Sequence, residues 1–168
     1  SSRRIPLLGS ALLWCALLLA TPSFAVELVG KVVKVVDGDT IHVLRDKTLF
    51  KIRLGGVDAP EAGQPFGQTS RKYLAALVAG KEVMIETLKR DRYDRIIGKV
   101  WVQPRDCSSC GKTLDANHAQ ILAGMGWWYE YYAKDQTPED RGRYASAEQE
   151  ARARQIGLWQ EPSPVPPW

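Results

Sequence analysis

Residues 37–61 read D-G-D-T-I-H-V-L-R-D-K-T-L-F-K-I-R-L-G-G-V-D-A-P-E. The stretch opens on a turn, Asp37-Gly38-Asp39-Thr40, set between two β-like runs at 29–36 and 41–45. Arg45-Asp46-Lys47 makes a polar turn into a third run, 48–54, where Phe50, Ile52 and Leu54 alternate with Lys51 and Arg53. A period of two marks a strand with one buried face. Three strands joined by short turns form a meander. The same stretch puts three carboxylates (Asp39, Asp58, Glu61) and the Arg53 guanidinium on turns or strand ends. Ionisable groups in half-buried places need partners or a ligand. Strand-end turns are also where a rigid scaffold presents its chemistry. Local alternation does not place Asp39 and Arg53 on one side; a bulge, strong twist or barrel closure has to bring them together.

Outward from this stretch, residues 64–68 form a loop containing Pro65 and Gly67. The spacing of Tyr73, Leu74, Leu77 and Val78 predicts a helix over 70–79, with Gly80 where a C-terminal cap belongs. Val83 and Ile85 alternate with Glu82, Met84 and Glu86 in a strand over 81–88. A charged turn, K-R-D-R-Y-D-R at 89–95, leads to a fifth strand at 96–102. A short helix is expected over 117–123, ending at Gly124, followed by an aromatic run at 127–132. Thr137-Pro138-Glu139-Asp140 has the composition of a helix start: a capping hydroxyl, proline in the first turn and acids beside it. That helix is expected to run to about 155 with Tyr144, Ala147 and Ala151 inward. These elements predict an α+β fold, mainly β: a five-stranded OB-fold barrel with about three packed α-helices. Fold alone does not decide function.

The 168 residues are 45% hydrophobic and 25% charged, which suits one globular domain. Arg3-Arg4, the apolar run 7–20 and the small residues Ser23 and Ala25 have the form of a signal peptide, with cleavage expected after Ala25. The run is shorter than a spanning helix needs. The expected organisation is a signal peptide at 1–25, a domain at 26–160 and a Pro-rich tail at 161–168. Export to the periplasm or the medium follows, with no stable membrane association after cleavage and a monomeric state. Losing Arg3 and Arg4 lowers the net charge from +4 to +2, so bulk charge says little about partners. Cleavage also removes Cys15 and leaves Cys107 and Cys110 as C-S-S-C. In an exported chain the default for such a pair is a disulfide. The alternatives are half a zinc site or a redox motif, but only His42 and His118 are left to complete a zinc site beyond carboxylates.

Asp39 and Asp58 are hard-oxygen ligands suited to calcium, and a backbone carbonyl near Ala59 with several waters would complete a weak, open site. Glu61, past the rigid Pro60, is placed to orient or deprotonate a water. Arg53 and Arg95 carry forked donors that match phosphate oxygens. Together they would oppose the charge that gathers on a phosphodiester in its transition state. Each feature taken singly has a plainer reading. Asp37 shapes a turn, Arg95 is a surface charge, and the aromatic run is core. Only the combination, in order, lifts the chemical reading.

That combination resembles the thermonuclease, or staphylococcal nuclease, family over about residues 29–159. The segments that carry the resemblance are D-G-D-T at 37–40, R-L-G-G-V-D-A-P-E at 53–61 and D-R-Y-D-R at 91–95. The resemblance implies an OB-type barrel with three helices and calcium-dependent hydrolysis of DNA and RNA, leaving 3′-phosphate ends. It implies Asp39 and Asp58 as metal ligands, the backbone carbonyl of Ala59 as a third, and Arg53, Glu61 and Arg95 as catalytic residues. Ala59 stands where the best-known member has threonine. The segment after Glu61 is shorter than in that member, and the loop with Cys107 and Cys110 is an insertion. Tyr93, Tyr129 and Tyr132 are candidates for packing against bases, as aromatic faces do in single-strand binders. Two other classes compete. A non-catalytic OB-type nucleic-acid-binding module would keep affinity without calcium and leave the nucleic acid intact. A carboxylate-pair glycosidase would need neither paired arginines nor a metal.

Overall fold

The computed structural model of the protein describes residues 26–168. The expected signal peptide and its cleavage point after Ala25 lie outside the described residues. The chain runs through β1 (Glu27–Val35), β2 (Thr40–Arg45), β3 (Thr48–Leu54), a short β4 (Val57–Asp58), α1 (Gly67–Val78), β5 (Glu82–Arg90) and β6 (Ile96–Val102). It continues through β7 (Leu114–Asp115), α2 (Ala116–Leu122), β8 (Trp127–Trp128) and α3 (Pro138–Ala153), with 3₁₀ turns at Glu130–Asp135 and Gly157–Gln160.

The main sheet has the order β3-β2-β1-β5-β6-β7, and a parallel β3–β6 pairing closes it into a five-stranded mixed barrel. The five strands and three helices expected from the periodicity are all present. Three two-residue strands were not expected: β4 and β8 pair with each other, and β7 pairs with β6. β7 lies antiparallel beside the end of β6 at the edge of the sheet, and all three are too short to leave a periodic pattern. Two bulges bend the barrel, between Val32 and Lys34 in β1 and between Thr87 and Lys89 in β5. Bulges strengthen local twist, which closure requires. The second carries β5 on to Arg90, two residues into the stretch read as a turn. Helix α1 begins at Gly67 rather than Ser70; at Gly67 the backbone passes so close to Glu61 that a Cβ would lie 2.0 Å from its carbonyl oxygen.

The interior of the barrel is apolar. Val32, Ile41, Val43, Ile52, Leu54, Val83, Ile85 and Val100 are buried, and Leu74 and Val78 of α1 and Ile121 of α2 cover them. Tyr144, Ala147 and Ala151 face inward from α3 as the spacing predicts. Asn117 of α2 fastens the point of closure. Its Nδ2 donates to the carbonyls of Gly55 and Gly98, each at 3.0 Å, and its Oδ1 accepts from the Val100 amide at 2.9 Å. Those carbonyls flank the ends of β3 and β6, so one buried amide ties the two strands together.

Cys107 and Cys110 form a disulfide with Cα atoms 5.5 Å apart. The Pro-rich tail is not helical, and it returns to the body: Trp168 lies 5.2 Å from Tyr129 and 6.0 Å from Trp127 between ring centroids. Among the described residues no helix is long and apolar enough to cross a membrane.

Helix α3 is locked to α2 by a buried polar contact. The Tyr144 hydroxyl reaches both oxygens of Asp115, at 3.1 and 3.0 Å, and Asp115 also caps α2 through the His118 amide. Removing one partner of a buried hydrogen bond leaves the other unmatched. Tyr144→Phe is therefore expected to lower stability by about 1–3 kcal/mol in urea unfolding, with the fold retained.

Candidate active site

The β2–β3 pairing sets Thr40 opposite Arg53. Asp39 lies in the bend just before β2, and its carbonyl still accepts from the Leu54 amide of β3 at 2.8 Å, which seats it next to Arg53. The long Arg53 side chain then spans the diagonal: its Nη2 is 3.4 Å from Asp39 Oδ2. After β3 the chain reverses at Gly55-Gly56. Gly56 has φ +74°, a left-handed conformation that favours glycine, and any Cβ there would lie 2.4 Å from Gln136 Nε2. This reversal folds β4 back so that Asp58 meets the same guanidinium, with Oδ1 2.5 Å from Arg53 Nη2. Arg53 Nη1 donates to the Val57 carbonyl at 3.0 Å. One guanidinium thus joins two carboxylates that are 19 residues apart in the chain.

Asp39 is buried and has partners on both carboxylate oxygens. Its Oδ2 also accepts from the Ala59 amide at 3.0 Å, and its Oδ1 accepts from the Thr40 hydroxyl at 2.8 Å. Asp37 Oδ1 accepts from the Asp39 amide at 3.0 Å, which is the turn-shaping role expected of it. The corner holds more acid than base. Burial, then the Asp39 charge, pushes Asp37 up to about 6. Burial also dominates at Asp58, where Arg53 pulls downward while Asp39 and Glu61 push upward, leaving it at about 7. Burial works against the charged form of Arg53, but Asp39 and Asp58 outweigh it and raise its pKa.

Arg95 stands across a cavity of about 480 Å³ whose walls include Arg53, Asp58, Tyr93, Tyr129 and Tyr132. Asp91, which opens the D-R-Y-D-R segment but was assigned no role from the sequence, fixes it. Asp91 Oδ2 accepts from Arg95 Nε at 2.7 Å, and Asp91 Oδ1 accepts the amides of Tyr93 and Arg95, both at 2.9 Å. Burial acts to raise the Asp91 pKa, but these hydrogen bonds prevail and hold it below the usual carboxylate value. The four-residue spacing of Asp91 and Arg95 was the available signal. Lys89 adds a further cation to the wall, paired with Asp135 and lying 4.6 Å from the Tyr132 ring centre.

Not every candidate residue lines the cavity. Asp39 and Ala59 are buried beside it rather than in its wall. Ala59 contributes its amide to Asp39. Glu61 is exposed on the loop after Pro60, where its amide donates to Gln64 Oε1 at 2.7 Å. Its carboxylate makes no hydrogen bond or ion pair among the described residues. The aromatic run divides: Trp127 is core, Trp128 donates to Gln136 Oε1 at 2.9 Å, and Tyr129 and Tyr132 face the cavity. Among the described residues no group of three or more His, Cys, Asp or Glu side chains is arranged to hold a metal ion. The expected set of two carboxylates and one carbonyl is smaller than that.

The staphylococcal nuclease homologue profile matches residues 51–161. The chain belongs to that family. Relatives agree across nearly the whole length. Protein ParB of Escherichia coli is 39% identical over 99% of this chain and 91% of its own. Micrococcal nuclease of Shigella flexneri is 37% identical over 90% of this chain and 84% of its own. An uncharacterized endonuclease of Escherichia coli is 37% identical over 88% and 87%. Membership in the family accords with the barrel and with the three segments that carry Asp39, Arg53–Glu61 and Arg95.

The Asp91 contacts can be tested without reference to activity. Asp91→Ala removes an ionised acceptor from two backbone amides. Hydrogen exchange at Tyr93 and Arg95 is expected to accelerate about tenfold or more, while exchange at the Val100 amide stays unchanged.

Proposed function

We propose that the protein is an exported, calcium-dependent nuclease that hydrolyses phosphodiester bonds of DNA and RNA with little sequence specificity, leaving 3′-phosphate ends. The observation that carries this reading is the Arg53–Asp39–Asp58 corner opening on a cavity faced by Arg95, in a chain of the staphylococcal nuclease family. The names of two relatives, a micrococcal nuclease and an uncharacterized endonuclease, support the substrate class.

The donor chemistry fits a hard divalent cation. Asp37, Asp39 and Asp58 share a corner with one guanidinium, and burial, reinforced by the neighbouring carboxylates, raises the Asp37 and Asp58 pKa values. Asp39 and Asp58 would hold calcium, with the Ala59 carbonyl as the third protein ligand. A bound divalent cation supplies positive charge against phosphoryl oxygens. The chain's own groups do the rest. Arg53 and Arg95 grip the phosphate, and their forked donors strengthen as equatorial charge develops. Glu61 carries an uncommitted carboxylate beside Asp58 and takes the proton of the attacking water or orients it. Tyr129 and Tyr132 offer apolar faces to a neighbouring base. The apolar run before residue 26 supports export, and the Cys107–Cys110 disulfide accords with an oxidising compartment, periplasmic or extracellular.

The test is digestion of denatured DNA and of RNA with calcium, with magnesium and with chelator. Calcium-dependent cleavage to 3′-phosphate ends is expected. Glu61→Gln and Arg95→Ala should each lower kcat by about 10²–10³. Tight binding with no cleavage under any metal condition would instead identify a non-catalytic binding module.

A further inference from the structure

The turn carrying Asp37 and Asp39 is held from beneath by Gln120, which is seated against Ser70; both residues lie outside the cavity wall. Gln120, on α2, is fully buried, and its Nε2 donates to the Gly38 carbonyl at 2.5 Å. The same nitrogen lies 3.3 Å from Ser70 Oγ and 3.4 Å from the Ser70 carbonyl. Ser70, on α1, is also fully buried, and its Oγ donates to the Met125 carbonyl at 2.6 Å. Two helices from distant parts of the chain therefore converge under one turn. The approach is close enough that a Cβ on Gly38 would lie 1.8 Å from Ser70 Oγ.

Two features separate this contact from ordinary packing. Gln120 Oε1 is buried and has no partner among the described residues. A core position that only filled space would be served as well by an apolar side chain, without an orphaned acceptor. Gln120 keeps that unmatched oxygen while its amide nitrogen serves the turn. The carbonyl it holds also belongs to the peptide joining Gly38 to Asp39. Arg53, Thr40 and the Ala59 amide act on the Asp39 side chain, whereas Gln120 acts on the backbone from which that side chain springs. Glycine at 38 has wide conformational freedom of its own, so the peptide needs an outside restraint.

We propose that Gln120, seated against Ser70, is a positioning residue of the candidate active site. It fixes the Gly38–Asp39 peptide and so sets where the Asp39 carboxylate stands relative to Asp58 and Arg53. The catalytic consequence rests on the nuclease reading above; the positioning itself does not.

Gln120→Met tests it, because methionine keeps the length and burial while losing the donor. One unmatched acceptor, Oε1, is exchanged for another, the Gly38 carbonyl, so the urea midpoint should stay close to that of the parent. In metal-free protein, exchange at the Asp39 and Ala59 amides should rise about tenfold, with the Val100 amide unchanged. Calcium affinity by calorimetry should fall about tenfold. For nucleic acid, kcat should fall about tenfold with KM held within about twofold. Gln120→Leu serves as a second variant with the same expected pattern if methionine unfolds the protein. Unchanged exchange at Asp39 and Ala59 overturns the proposal. Uniform loosening of all core amides together with a lower midpoint also overturns it, since Gln120 is then an ordinary core residue. Local loosening in a protein whose parent form cleaves no nucleic acid supports the clamp and sinks only the nuclease reading.

Discussion

A single guanidinium held between two carboxylates organises this structure. Arg53 lies at the end of β3, largely screened from water, with Asp39 and Asp58 against its Nη2. A buried charge is tolerable only with a partner, and removing either side leaves the other uncompensated. The chain meets that condition by three devices. The Leu54 amide holds Asp39 at the mouth of β2, the Gly55-Gly56 reversal returns Asp58, and the β4–β8 pairing keeps it there. Burial, and after it the neighbouring carboxylates, raises the Asp37 and Asp58 pKa values in this corner.

Closure of the barrel supplies the second half of the site. Parallel pairing sets Ile52 against Ile96 and Arg53 against Ile97. Arg95, immediately before β6, therefore reaches the cavity into which Arg53 opens. The closure is made by backbone ladders, and Asn117 reinforces it from α2. Stability and site geometry thus share the same parts. Loops attached to a rigid barrel can change in length or gain a disulfide without moving the two arginines apart.

The aromatic residues show how one sequence feature can divide its roles. Trp127 is covered by Trp159 and Trp168, while Tyr131 and Tyr132 remain on the surface. Composition announces a patch of rings, but only neighbours decide which ring is core and which is free. The Pro-rich tail follows the same rule. Proline rules out helix, yet nothing local says that Trp168 returns to stack on Tyr129.

The sequence by itself determined the barrel strands, the three helices and the segments in which Asp39, Arg53, Asp58 and Arg95 stand. Those features rest on short-range physics: alternation on a half-buried strand, helical spacing, and capping and turn chemistry. The tertiary structure alone decided that Asp39 and Asp58 share Arg53, and that Glu61 stays exposed outside the cavity wall. It also revealed Asp91, Asn117, Ser70 and Gln120 as the residues that fix the site. An asparagine, a serine and a glutamine inside helices look like surface polar residues, because their hydrogen bonds run to carbonyls far away in sequence. Such bonds exist only once the barrel has closed, and no local pattern can record them.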